Sequence, residues 1–163
     1  MLRFLITITL ITSISFLFAQ KTVPSVELRT LEGQTVNIQD YAENGKITIM
    51  SFWATWCSPC KKELDALMDF YPEWKEKYDL ELLAITTDDA RGLPKVKSIV
   101  QQKQWEYEIL SDVKQDLQNA MSFRAIPQTF ILNKEGEIVY SHSAYVPGDE
   151  YELDEKIKEI AGM

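Results

Sequence analysis

Hydrophobic and polar positions alternate from Val26 to Ile38, with Val26, Leu28, Val36 and Ile38 on either side of Glu32-Gly33. That pattern predicts a β-hairpin turning at the dipeptide. After a second turn signal at Asn44-Gly45, the run KITIMSFW from Lys46 to Trp53 is apolar throughout, as in an inner strand covered on both faces. The period then changes from two to 3.6. Cys60, Leu64, Leu67, Met68 and Tyr71 mark a helix starting at Ser58-Pro59, where proline suits the first helical position because its missing N–H needs no partner. Pro72 is expected to kink or break this helix, with a second part running to about Tyr78. LELLAITT, from Leu80 to Thr87, predicts a second buried strand, and Asp88 to Pro94 a loop. Val96, Ile99, Val100 and Lys103 predict a helix ending near Gln104. A short strand at Tyr107 to Leu110, a short helix at Asp116 to Met121, and a strand at Thr129 to Leu132 follow. Glu135-Gly136 turns the chain into an antiparallel partner, Glu137 to Ser141. Gly148-Asp149 opens a last helix with acids in its first turn and Lys156 and Lys158 later, as the helix dipole favours. The order ββ-β-α-β-α-β-α-β-β-α implies an α/β protein with a mixed central sheet flanked by helices on both faces.

The first twenty residues, MLRFLITITLITSISFLFAQ, do not fit that scheme. Arg3, an apolar run from Phe4 to Phe18 and then Ala19 make residues 1–19 a secretory signal peptide in pattern, with cleavage expected after Ala19. An uncleaved membrane anchor is the alternative, although the run is short for a span and diluted by Thr and Ser. Residues 20–163 are expected to form a single domain, large enough for a real core. With 17 Lys and Arg against 25 Asp and Glu, the chain carries a net charge of −8, which becomes −9 once Arg3 is removed. Such acidity argues against a nucleic-acid partner. Export would place the chain in the periplasm or another extracytoplasmic space, where disulfides persist. Two cysteines in so long a chain do not make a disulfide scaffold, so they need another explanation.

Both lie in FWATWCSPCKKEL, two residues apart, where a strand runs into a helix. A permanent staple across so small a loop constrains the unfolded chain little. Structural zinc takes four ligands, and the chain offers two cysteines and one histidine, so no metal is expected. Thiol chemistry fits better. Cys57 sits where helix N–H groups lack partners, and those donors with the positive end of the dipole favour a thiolate. Cys57 is therefore the expected nucleophile, lying at the surface, with Lys61 a candidate source of added positive potential. Cys60 shares a helical stripe with Leu64 and Leu67 and should face inward, resolving a mixed disulfide formed at Cys57. The electrons reside in the two sulfurs, so no cofactor is expected. Trp56, beside Cys57, is read as part of an apolar collar for substrate. Trp74, Trp105 and Tyr71 are read as core or rim, and the lone His142 as a solvent-facing strand residue.

FWATWCSPC resembles the thioredoxin superfamily, through Phe52, Trp53, Trp56 and Pro59 as well as the two cysteines. Ile126-Pro127 before QTFIL is similar to the family's cis-proline loop, which lies against the active cysteines. The resemblance implies that Ile126 pairs its backbone with substrate and that Trp56, Ser58, Pro59, Ile126 and Pro127 together form the substrate-binding surface. Within the superfamily the chain looks most like the TlpA/ResA group of exported thiol-disulfide oxidoreductases. The leader, the N-terminal hairpin, an added strand–helix element over about residues 80–105 and Glu63 in CxPCxxE carry that likeness. It implies a thioredoxin-like fold, protein disulfides as substrates, a membrane electron donor and a reductive direction in a monomer. Cytochrome c maturation and disulfide repair are the destinations it suggests for the electrons. The chain departs from thioredoxin at Ser51, where the family has a buried Asp that assists the inner cysteine. Asp88 or Asp89, after the next strand, is the expected substitute, and Glu63 is a candidate modulator. Two rival functions stay open. One is a thiol peroxidase of peroxiredoxin type, against which Ala54 and Met50 stand where those enzymes place Thr and Pro. The other is a non-catalytic peptide-binding domain that keeps the fold.

Overall fold

A computed structural model describes residues 21–162. The leader expected over residues 1–19 lies outside the described residues. Seven strands form one mixed sheet in the order β2-β1-β5-β4-β3-β6-β7. They are β1 (Glu27–Thr30), β2 (Thr35–Asn37), β3 (Ile47–Trp53), β4 (Leu80–Thr86), β5 (Glu108–Ser111), β6 (Gln128–Leu132) and β7 (Ile138–Ser143). Among the described residues the helices are α1 (Ile38–Ala42), α2 (Ser58–Tyr78), α3 (Leu93–Lys103), α4 (Asp116–Ala120) and α5 (Asp149–Ile160). The architecture is thioredoxin-like, a mixed sheet with helices on both faces.

Every residue of β3 is buried, as its unbroken apolar run predicts. It pairs in parallel with β4 and antiparallel with β6. Its side chains alternate between two cores. Ile47, Ile49 and Trp53 pack with Cys60, Leu64 and Leu67 of α2, Val96 of α3, and Leu153 and Ile157 of α5. Met50 and Phe52 face the other way, toward Ile38 and Ala42 of α1 and Leu117 of α4. Trp74, Trp105 and Tyr71 are buried in the first core. The segment expected to add a strand and helix is β4 with α3. β4 is an inner strand, and β5 carries the sheet outward to the hairpin β1–β2.

Two local expectations are overturned by packing. Ile38 does not continue the hairpin strand. Asn37 caps a short helix there, its side chain accepting the Gln39 N–H at 3.0 Å, and Ile38 and Ala42 bury one turn apart. Pro72 does not break α2, which runs unbroken from Ser58 to Tyr78. Proline removes one helical hydrogen bond, but Tyr71, Trp74 and Tyr78 on the buried face hold both halves to the core, and tertiary packing outweighs the local cost.

Candidate active site

β3 ends at Trp53, and a tight turn leads to Cys57, which caps α2. Cys57 and Cys60 are joined in a disulfide. Cys57 is extended at φ −83° and ψ 101°, and its sulfur accepts the Cys60 N–H at 3.2 Å. The sulfur expected to be the nucleophile therefore already faces a free helix amide at the positive end of α2. Cys60 is completely buried, as its place on the helix stripe predicts. Cys57 departs from expectation, for only 4% of it is exposed. The asymmetry keeps its direction but is small, with the exposed Trp56, Ser58 and Pro59 flanking Cys57. Trp56 is the outward element, with 70% of its surface exposed.

The turn before Cys57 is anchored by Asp88. Thr55 donates to it twice, from N–H and Oγ1, each at 2.8 Å, and Thr86 Oγ1 donates at 2.7 Å. Lys61 Nζ donates to the Thr55 carbonyl at 2.9 Å, so Lys61 clamps the same turn instead of standing free in solvent. Asp88 thus anchors the turn, with three donors on its carboxylate. Asp89 is exposed, and its Oδ1 accepts the N–H groups of Arg91 and Gly92 at the entry to α3. Neither acid is hydrogen-bonded to a cysteine. Asp88→Ala leaves three donors around a buried turn without their acceptor. It is expected to destabilise the protein by about 3 kcal/mol, read as a lower urea midpoint with unchanged slope.

The acid that the structure does bring behind the dithiol is Glu63. It follows Cys60 by three residues on α2, so the two side chains share one buried face, with Cβ atoms about 5–6 Å apart. Oε1 accepts from Thr129 Oγ1 at 2.6 Å, and Oε2 has no hydrogen-bond partner among the described residues. Ser51 lies nearby on β3, directly across from Thr129 on β6, but its hydroxyl does not reach hydrogen-bond geometry. Burial pushes the Glu63 carboxyl up to about 7, against the weaker opposing pull of Thr129 and His142. Thr129 thus joins the two, paired with Ser51 across the sheet and hydrogen-bonded to Glu63 of the facing helix.

Pairing of β3 with β6 sets Phe52 opposite Gln128, which carries Ile126-Pro127 to the end of the sheet where the dithiol lies. The Ile126-Pro127 peptide bond is cis. Ile126 and Trp56 border a cleft of about 230 Å³ that reaches Thr87, Gln115, Phe123 and Arg124. A second, much smaller cleft opens behind the dithiol. It contains Glu63 and Thr129 together with Tyr140, His142, Tyr145 and Asp149. His142, expected to face solvent from its strand, is partly exposed on β7, and its Nε2 lies 3.1 Å from Asp149 Oδ2. The sequence signal for this group was the alternation of β7, which puts Tyr140 and His142 on one face.

The model of the AhpC/TSA family matches residues 19–141. The sporulation thiol-disulfide oxidoreductase A of Bacillus subtilis is 31% identical over 121 residues, covering 73% of this chain and 71% of that one. A thiol-disulfide oxidoreductase ResA of Bacillus cereus is 30% identical over 119 residues, covering 73% of this chain and 66% of that one, just under two thirds of its length. Among solved structures, a thioredoxin-like protein of Porphyromonas gingivalis superposes with a TM-score of 0.76 at 38% identity, covering 86% of this chain and 92% of that one. StoA of Bacillus subtilis superposes at 0.64 with 25% identity, covering 80% and 96%.

Proposed function

We propose, for a chain that belongs to the AhpC/TSA family and within it to the ResA-like thiol-disulfide oxidoreductases, that it reduces disulfides of other proteins outside the cytoplasm. The observation that carries this reading is the Cys57–Cys60 disulfide at the N-terminus of α2, with Cys60 and Glu63 buried behind it. In the reduced protein the Cys57 thiolate attacks one sulfur of a substrate disulfide. A mixed disulfide forms, and the other substrate sulfur leaves as a thiolate. Cys60 gives its proton to the Glu63 carboxylate and attacks the Cys57 sulfur. The Cys57–Cys60 disulfide closes, the second substrate thiolate departs, and two electrons have passed to the substrate. Trp56, Ser58, Pro59, Ile126 and Pro127 bear on the substrate chain around the exchanging sulfurs.

The leader pattern of residues 1–19 supports the extracytoplasmic location and leaves a membrane electron donor as the source that restores the dithiol. Among the described residues no helix is long and apolar enough to cross a membrane. A peroxidase would use a hydroxyl beside the nucleophile. Ala54 supplies none, and the hydroxyl of Thr55 is committed to Asp88.

Partner trapping tests the proposal. Cys60→Ala, expressed in the chain's own compartment, is expected to accumulate client proteins as mixed disulfides on Cys57, resolved by non-reducing electrophoresis and identified by mass spectrometry. Haem-binding apoproteins among the clients would assign cytochrome c maturation, and a broad mixture would assign disulfide repair. An active wild type with no trapped species in the variant would overturn the relay.

A further inference from the structure

A buried carboxyl that has taken a proton from Cys60 can return it when the disulfide is next reduced, but to come to equilibrium with solvent while the disulfide stands it needs another way out. Glu63 lies beneath α2 with little contact to bulk water, so its proton needs a route. The register of the sheet lays one out. Ser51 on β3 pairs with Thr129 on β6, and Thr129 pairs with His142 on β7. These residues form a cross-strand row on the face covered by α2 and α5, and it ends at β7, the edge strand. Thr129 holds Glu63 Oε1, while Oε2 is without a partner beside a cavity of about 10 Å³ that His142 also lines. That is about the smallest space that admits one water. At the outer end His142 meets Asp149, the first residue of α5.

We propose that His142, oriented by Asp149, is the relay through which Glu63 exchanges its proton with solvent. This rests on the reading of Glu63 as the acceptor for Cys60. After Cys60 has delivered its proton, the Glu63 carboxyl passes it across the cavity to the imidazole nitrogen, and His142 releases it at the sheet edge. One proton enters at Cys60 and one leaves at His142, and the electron count of the disulfide exchange is untouched.

The other titratable groups facing Glu63 do not offer the same path. Tyr107, just before β5, donates to the Leu64 carbonyl, and burial raises its phenol far above the neutral range. Tyr140 of β7 and Tyr145 of the following loop are pushed up to about 12, first by burial and then by the acids they bond, Glu152 and Glu150. Asp149 and Glu150 of α5 are acceptors, and Asp149 opposes ionisation of Glu63. The imidazole has two ring nitrogens, so it can take a proton on one and give one from the other. It also favours the Glu63 carboxylate electrostatically.

The two chemical steps separate when the reduced protein is mixed with 5,5′-dithiobis(2-nitrobenzoate). A first burst of thionitrobenzoate reports Cys57 attack, and a second reports resolution by Cys60. A pH-indicator dye in the same mixture reports the proton that leaves after resolution. His142→Ala is expected to leave the first burst unchanged and to make proton release trail the second burst by about 10²-fold, the lower end of what a positioned proton carrier contributes. Added imidazole should restore it. Proton release in step with the second burst in that variant, or a delay without response to imidazole, would overturn the relay. Glu63→Gln keeps the two ideas apart. A normal second burst in that variant removes Glu63 as acceptor and the relay with it. A slow one there beside undelayed proton release in His142→Ala removes the relay alone.

Discussion

Cys57→Ser is expected to abolish turnover of a protein disulfide such as insulin's, with a loss of roughly 10³-fold or more, the scale on which removal of a covalent nucleophile registers. The serine hydroxyl keeps the cap position and can accept the Cys60 N–H as the sulfur does at 3.2 Å. Stability of the fold should therefore be little changed relative to the reduced wild type, which separates loss of chemistry from loss of structure. Cys60 cannot take over, because it is completely buried among Leu64, Leu67 and their neighbours. Cys60→Ser should fail differently, forming one equivalent of mixed disulfide quickly and then stalling. The measurement is insulin reduction with dithiothreitol as electron source, beside mass spectrometry of the trapped species. Turnover of Cys57→Ser within tenfold of wild type would remove Cys57 as nucleophile. The small exposure of Cys57 bears on the same experiment. In the disulfide form only 4% of it is open, so a donor must reach its sulfur over Trp56, Ser58 and Pro59.

Glu63→Gln is expected to stabilise the protein at alkaline pH while slowing resolution by about 10²-fold, the usual contribution of a positioned proton acceptor. Burial raises the Glu63 carboxyl from 4.5 to about 7 in the folded chain. Between those values the folded state holds a proton that the unfolded state has released. Stability is therefore full below about 4.5 and falls as pH rises through 7, by about 3 kcal/mol in total. The direction is opposite to that of an acid held by a salt bridge. Urea unfolding of the oxidised protein at pH 5 and pH 8 should show wild type losing this increment and Glu63→Gln losing little of it. Equal pH slopes in the two proteins would show that Glu63 does not titrate in this window. An acid kept in the core at that cost, where Leu or Gln would fit the helix, fits the proton-accepting role proposed for it beside Cys60.

Much of the site is local in sequence and was legible there. A strand running into Cys-X-Pro-Cys fixes which cysteine caps the helix and which lies on its inner stripe, because both follow from 3.6-residue geometry and from proline's place in the first turn. The turn signals at Glu32-Gly33 and Glu135-Gly136 placed both hairpins. The anchoring contacts of Asp88 were not legible, because its position after β4 says only that an acid is near the end of a strand. That its carboxylate is filled by Thr55 and Thr86 depends on β3 and β4 lying side by side. Pro72 was misread for a related reason. The local cost of an interior proline is visible in sequence, whereas the burial of Tyr71, Trp74 and Tyr78 that outweighs it belongs to the assembled core.

From the order of residues alone came the thioredoxin-like α/β architecture, the redox-active pair and the inward direction of Cys60, all set by short-range periodicity and backbone chemistry. The proposed proton path depends on tertiary structure. Glu63, Ser51, Thr129, His142 and Asp149 are spread over nearly a hundred residues, and only strand register and the docking of α2 and α5 bring them together. Contacts of that kind depend on which strand lies beside which, and no local pattern in a single chain encodes a neighbour that distant.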